Sequence, residues 1–388
     1  LFLLDAYALI YRAYYAFIKN PRINSKGFNT SAILGFVNTL EEVLKKENPT
    51  HIGVAFDPAG PTFRHEAFEQ YKAQREETPE AIRLSVPIIK EIIRAYRIPI
   101  LEVAGYEADD VIGTLATEAG RQGIITYMMT PDKDYGQLVS DKVFMYRPKH
   151  TGGFEVMGVD EVKAKFDIQS PAQVIDMLGL MGDSSDNIPG CPGVGEKTAQ
   201  KLIAEFGSIE NLLEHTDQLK GALKTKVETN REMITFSKFL ATIKIDVPIQ
   251  LDMDSLVREQ ADEDSLRQIF EELEFRTLID RVLKKENAGN GITTPTGNKT
   301  AAEKSNLAPL PLFPEEGGAV QGDLFANFTG NEPGEAKNSN LATLETLNCD
   351  YQLIDTEEKR TKIIQKLLTS KILSLDTETT GTEQMDAE

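Results

Sequence analysis

Apolar residues in the first part of the chain fall into short runs, and acids follow most of them. LFLL leads into Asp5, HIGVAF into Asp57, IPILEVAGY into Glu107, Asp109 and Asp110, and IITYMMT into Asp132 and Asp134. The runs predict strands at 1–5, 51–57, 98–103, 124–130 and 143–146. Between them, Ser31–Lys46 and Pro87–Tyr96 carry helical patterns. Strands alternating with helices predict an α/β fold with a parallel sheet, which gathers ligands outside the carboxyl ends of its strands. From 171 to 285 the pattern is helical, with amphipathic segments at Ala199–Phe206 and Ser265–Leu273.

Periodicity then stops. Residues 286–340 are rich in Gly, Asn, Pro, Thr and Ala and predict a flexible linker. Order resumes with a strand (YQLI), a charged helix (Glu357–Leu368) and a strand (KILSL) that runs into Asp376. The 48 residues of 341–388 are too few for an α/β domain, so they predict a fragment of one. The absence of an initiator Met predicts that at least one residue precedes Leu1.

The length of 388 residues suits two or three domains. The net charge of −19 argues against a polyanion-binding surface spread over the whole protein. Its distribution is uneven: residues 1–100 hold 13 basic and 11 acidic side chains, residues 101–200 hold 8 and 16. Cys191 and Cys349 lie too far apart for a disulfide framework or a zinc site, which points to a reducing, cytoplasmic setting. The apolar start lacks a basic flank and is broken by Asp5, unlike a signal peptide. No apolar run approaches the ~20 residues of a membrane span, so no membrane partner is expected.

Acids converging on one sheet edge repel. Two unit charges about 4 Å apart cost roughly 4 kcal/mol at an effective dielectric of ~20. Such a cluster needs divalent cations or raised pKa values, and an all-oxygen donor set suits Mg²⁺ or Mn²⁺. Singly, the acids of GYEADD read as favourable charges at a helix N-terminus, and TPDKD reads as a turn. Convergence with Asp5 and Asp57 favours a metal centre, the usual equipment for hydrolysing phosphodiesters. None of the four His residues has triad or metal-ligand spacing, so a metal-activated water fits better than a His base.

A further acidic pair, Asp183 and Asp186, lies in GDSSDNIPGCPGVGEKTAQKL. This stretch is not a P-loop: Glu196 stands where Gly must precede Lys197, and no strand leads in. Two helices joined at Gly193, Val194 and Gly195 read better, with backbone N–H groups facing a phosphate, and Lys197 and Thr198 beside them are further DNA-contact candidates that the resemblance below implies. In PTFRHEAFEQYKAQREETPEAIR, Arg64, Lys72, Arg75 and Arg83 interleave with Phe63, Phe68 and Tyr71, a pattern suited to a single nucleic-acid strand. Arg12 is another phosphate-contact candidate.

LLDAYALIYRAYYA, AFDPAGPTFRHEAF, YKAQR, GYEADD, TPDKD, GDSSDNIPG and GVGEKTA together resemble, in order, the 5′-nuclease domain of bacterial DNA polymerase I, in the flap endonuclease family. The resemblance covers roughly residues 1–285, divided into an α/β catalytic part (1–170) and a helical DNA-binding part (171–285). It implies a PIN-like, mostly parallel sheet with helices on both faces, a helical arch and a helix-two-turn-helix. It assigns Asp5, Asp57, Glu107 and Asp109 to a first metal position and Asp132, Asp134 and Asp186 to a second, with Asp110 and Asp183 as additional acids. Lys72 and Arg75 match arch residues that act on the 5′ strand, Arg12 a phosphate contact, and 193–199 a duplex grip that in some members holds K⁺. Asp5, Asp134, Lys72 and Arg75 are thus the implied catalytic residues, and Arg64 joins the DNA contacts. LSLDTETTGT resembles the first motif of a ribonuclease-H-like 3′→5′ exonuclease, with Asp376 and Glu378 as its metal acids. Gln321–Phe325 is similar to short peptides that dock on the bacterial sliding clamp. The expected activity is cleavage at a 5′ flap, a nick or an RNA primer–DNA junction by a monomer. A PIN-type ribonuclease and a non-catalytic DNA-binding module are the alternatives.

Overall fold

The structure is a computed structural model that describes residues 1–149, 153–283 and 356–368. The linker 286–340, Gln321–Phe325, Asp376 and Glu378 lie outside the described residues.

The first strand, β1 (Phe2–Asp5), runs directly into α1 (Ala6–Ala16). Asp5 ends the strand and caps the helix, accepting from the Ala8 N–H at 3.1 Å. There follow α2 (Ser31–Lys46), β2 (Ile52–Ala55), α3 (Phe63–Ala67), α4 (Glu80–Ala95), β3 (Ile100–Leu101) and α5 (Ala108–Arg121). After β4 (Thr126–Met129) come a 3-10 turn (Lys133–Leu138), β5 (Val143–Pro148) and β6 (Phe154–Met157). The six strands are ordered β3-β2-β1-β4-β5-β6, all pairings parallel except β5 with β6. Side chains alternate across this sheet. Phe2, Leu4, Ile52 and Val54 join the apolar faces of α1, α2 and α4, while α5 packs against β1, β2 and β4.

Two elements depart from the expected pattern. The antiparallel strand β6 was not foreseen, because four residues (FEVM) give too short an alternation. Helix α4 begins at Glu80, not Pro87, and carries Pro87 inside it. An interior proline costs about 3 kcal/mol. Ile82 and Ser85 before it, with Ile89, Ile92 and Ile93 after it, are all buried, and that continuous stripe holds the helix together.

Helices follow the sheet: α6 (Val159–Phe166), α7 (Gln173–Met181), α8 (Glu196–Phe206), α9 (Ile209–Glu214), α10 (Gly221–Thr229) and α11 (Arg231–Ala241). The next two, α12 (Glu263–Glu272) and α13 (Arg276–Leu283), return to the sheet domain. Their Leu266, Phe270, Leu278 and Leu283 are buried in the same core as α2 and α4. Ile52 also donates its N–H to Leu256 O at 2.8 Å. Leu256 and the helices α12 and α13 therefore contribute to the α/β core. Helix α14 (Glu357–Leu368) belongs to a second unit of the chain. Among the described residues, no helix is long and apolar enough to cross a membrane.

Candidate active site

Strand geometry places Asp5 at the end of β1, flanked by β2 and β4. Asp57 follows β2 and accepts from the Ala108 N–H at the start of α5 at 2.7 Å. Asp132 follows β4 and caps the 3-10 turn through the Asp134 N–H at 2.9 Å. Asp109 lies in the first turn of α5 and accepts from the Tyr135 hydroxyl at 2.8 Å. Thr130 donates to Asp5 Oδ2 at 3.0 Å. The sheet thus brings together acids more than a hundred positions apart in sequence. Tyr135 and Thr130 escaped sequence reasoning, although each lies within two residues of an acid already singled out.

These acids form two populations. Asp5, Asp57, Asp109, Asp132 and Asp134 all have carboxyls pushed upward, first by burial. Neighbouring carboxylates add to the shift: Asp57 and Asp132 act on Asp5, which is raised to about 7. Asp5 and Asp132 act on Asp109. Asp134 Oδ1 is buried with no hydrogen-bond partner.

The other population is paired. Burial again pushes Glu107 and Asp186 upward, but their cations win and both carboxyls are held below the usual range. Lys72 Nζ lies 2.7 Å from Glu107 Oε1 and 3.6 Å from Asp186 Oδ2. Arg75 reaches Asp186 Oδ1 at 2.5 Å, and Lys133 reaches Asp183 Oδ2 at 2.7 Å. The Tyr71 hydroxyl sits 3.0 Å from both Glu107 Oε2 and Asp186 Oδ2. Lys72 adopts a left-handed backbone, φ 56°, and its N–H donates to Asp186 O at 3.0 Å. That conformation costs a lysine about 1 kcal/mol or more, which the surrounding bonds offset. The expected arch is therefore only partly helical: α3 ends at Ala67, and residues 68–75 are turns folded against the 183–187 loop.

Two site assignments need correction. Arg64 was expected to contact DNA, but it is 2% exposed. It pairs with Glu107 at 2.9 Å and with both oxygens of Asp110 at 2.8 Å. Asp110, expected among the metal acids, is fully buried. Its oxygens accept from Arg64, the Glu107 N–H and the Lys244 N–H, which leaves little for an ion. Alternating basic and aromatic residues suggested an exposed helix face, whereas α3 turns Arg64 inward to neutralise the acids of α5.

The remaining candidates are surface groups. Arg12, half-buried on α1, donates to Lys149 O at 3.0 Å, and burial lowers its pKa to about 10. The 182–195 loop joins α7 to α8 and exposes Gly193 and Gly195; in the first turn of α8, Lys197 is exposed and Thr198 half-buried. Gly193 has φ +75°, a conformation other residues rarely take, and its carbonyl accepts from Lys226 Nζ at 3.3 Å. Gly195 precedes the first turn of α8 and has an ordinary φ of −95°. A Cβ there would meet nothing in the protein, so the fold does not require this glycine.

The donor set fits divalent cations on chemical grounds: clustered oxygens, ionised only at a cost, with Asp134 Oδ1 left unpartnered. Among the described residues, no three acids lie at the spacing that one ion requires. Lys72 bridges Glu107 and Asp186, and Arg75 and Lys133 hold Asp186 and Asp183.

Comparison with known proteins agrees with this fold. The family described as 5′-3′ exonuclease, N-terminal resolvase-like domain, matches residues 1–167. The family described as 5′-3′ exonuclease, C-terminal SAM fold, matches residues 169–264. DNA polymerase I of Bacillus caldotenax is 41% identical over 285 residues, covering 73% of this chain and 32% of that protein. The chain thus spans about a third of the length of this relative. A zinc-bound bacteriophage T5 5′-exonuclease shares the fold at 21% identity and a TM-score of 0.53, over 71% of this chain and 98% of that one. A T5 flap endonuclease in complex with DNA and metal ions gives 22% and 0.51, over 70% and 98%. With matches to the resolvase-like domain and the SAM fold running in succession, and the acids gathered at the sheet edge, residues 1–264 make this chain a member of the 5′-3′ exonuclease family.

Proposed function

We propose that this chain is a metal-dependent, structure-specific 5′ nuclease that cuts DNA at a 5′ flap or nick. The observation that carries the reading is the unpaired acid group around Asp134, whose buried Oδ1 lacks a partner. Asp5, Asp57, Glu107 and Asp109 would hold one divalent cation, and Asp132, Asp134 and Asp186 a second; Mg²⁺ or Mn²⁺ suits these donors. Bound there, cations supply an activated water and stabilise charge on a phosphoryl oxygen.

The protein's own groups do the rest. Tyr135 and Thr130 fix the rotamers of Asp109 and Asp5. Lys72 and Arg75 neutralise Glu107 and Asp186 while DNA is absent. A phosphodiester entering the site offers them a competing anion, and transfer to it places two positive charges beside the scissile group. The backbone at exposed Gly193 and Gly195, with Lys197 and Thr198 at the start of α8, holds duplex phosphates without reading sequence. Full-length relatives carry more chain than this, and the same reading extends to removal of RNA primers. On this reading 286–340 is a tether, Gln321–Phe325 a sliding-clamp peptide, and 341–388 the start of a 3′→5′ exonuclease containing Asp376 and Glu378.

A 5′-labelled flap duplex with Mg²⁺ tests the proposal, beside an Asp134→Ala variant. Cleavage near the junction by the wild type, reduced about 10³-fold or more in the variant, is the expected outcome, on the scale of losing a major charge-stabilising group. Duplex binding without cleavage by the wild type would replace the nuclease by a DNA-recognition module.

A further inference from the structure

The C-terminal end of α11 is clasped by two side chains that also hold the acid segments. Gln137, in the 3-10 turn, donates from Nε2 to Ala241 O at 3.0 Å and to Asp134 O at 2.9 Å. Its Oε1 accepts from the Ile243 N–H at 2.9 Å. An N–H only donates, so the amide orientation is fixed by its partners. From the other side Arg64 donates to Leu240 O at 2.9 Å and Thr242 O at 2.7 Å, and with its remaining N–H groups to Glu107 and Asp110. Asp110 also accepts from the Lys244 N–H at 2.8 Å. Residues 240–244 are thus bonded to the turn that carries Asp134 and to the helix that carries Asp109.

One turn earlier, the same helix touches the loop that leads to the duplex grip. Ser237 Oγ accepts from the Gly190 N–H at 3.0 Å, and both residues are buried. Gly190 has φ +62°, and a Cβ there would lie 2.3 Å from Gly182 N, so this junction is tight. Helix α11 also packs along α7, which enters the loop from its other end. A single rigid element is bonded to the loop at one point and to both acid segments at another.

We propose that α11 couples duplex binding at the 182–195 loop to the placement of the acids, with Gln137 and Arg64 as positioning residues at its end. This inference rests on the nuclease reading above. Coupling requires one element whose position both sites bias, and α11 has bonds to each. Duplex binding that settles the loop would then settle 240–244, and with it the segments of Asp134 and Glu107.

The test measures Mn²⁺ affinity by electron paramagnetic resonance, with and without a saturating duplex closed by loops at both ends. Such DNA has no 5′ end to cut. In the wild type the duplex should tighten Mn²⁺ binding about tenfold, within the usual range of coupling between sites. In Gln137→Leu, duplex affinity without divalent cation should stay within about twofold while the tightening falls below about twofold. Ser237→Ala, at the other end of the link, should reduce the tightening in the same direction. Full tightening in Gln137→Leu overturns the proposal, as does a wild type that shows none. Parallel losses of melting temperature, duplex affinity and metal affinity would reduce Gln137 to a structural role and overturn it equally. A wild type that shows the tightening yet leaves flap DNA uncut would defeat the nuclease reading and leave the coupling intact.

Discussion

Two groups of acids share one sheet edge and are kept in opposite electrostatic states. Glu107, Asp110, Asp183 and Asp186 have cations within the fold. Asp5 is buried and Asp57, Asp109, Asp132 and Asp134 are half-buried, and desolvation, with neighbouring carboxylates, pushes their carboxyls upward. The first group is neutralised within the fold, and two of its members, Glu107 and Asp186, are also proposed metal ligands whose cations would have to move aside. The second has no such ion pair among the described residues, although Asp5, Asp57, Asp109 and Asp132 accept hydrogen bonds. Sequence spacing alone does not separate the two.

The sharpest way to break the contrast is a pair of substitutions melted without metal. Arg64→Met strips the cation from buried Asp110 and Glu107 and should cost about 3–5 kcal/mol, the usual loss when one member of a buried pair is removed. Asp134→Asn removes a charge that the fold disfavours, and should raise the melting temperature of the metal-free protein. A stabilised Arg64→Met or a destabilised Asp134→Asn would dissolve the distinction.

Proton linkage gives a second handle. The Asp5 carboxyl titrates near 7 in the folded protein against an ordinary value of 3.8. Between those values the folded state binds more protons than the unfolded one, so this group's contribution to metal-free stability falls as pH rises through the window. A cation needs the deprotonated form. Calorimetry should therefore show proton release on Mn²⁺ binding, with affinity rising from about pH 5.5 to 8 and levelling above the folded pKa. A flat profile would mean that the upward-shifted group is not what the cation meets.

The smallest effect tests the other partner of the acids, the exposed hairpin. A methyl at position 195 touches nothing within the protein. Gly195→Ala should therefore melt like the wild type yet bind duplex DNA about fivefold more weakly, the equivalent of about 1 kcal/mol for one backbone–phosphate contact. Unchanged duplex affinity would remove Gly195 from the interface.

Much of this was legible in the sequence. Strands ending in acids announced a parallel sheet with an anionic edge, because side-chain period and strand-end position are local properties. Gly193 and Gly195 announced a backbone surface for the same reason. Arg64, Lys72 and Arg75 were legible as cations but not as partners. Whether a basic side chain faces solvent or a carboxylate depends on which way α3 and the 68–75 turns fold, a tertiary choice that no spacing records. Gln137 gave no signal at all: its three bonds go to backbone groups, two of them about a hundred positions away. Strand β6 and the early start of α4 were lost to a short pattern and to the weight given to Pro87.

The return of α12 and α13 to the core of α2 and α4 bears on how the chain is made. Leu266 and Phe270 are fully buried, and Leu278 and Leu283 nearly so, against residues synthesised more than 170 positions earlier. During translation the sheet and its acids emerge long before the segment that seals their apolar face. A nascent chain halted before α12 would display that face to solvent, and a proteolytic fragment ending at residue 264 would carry every acid of the sheet edge on an open core.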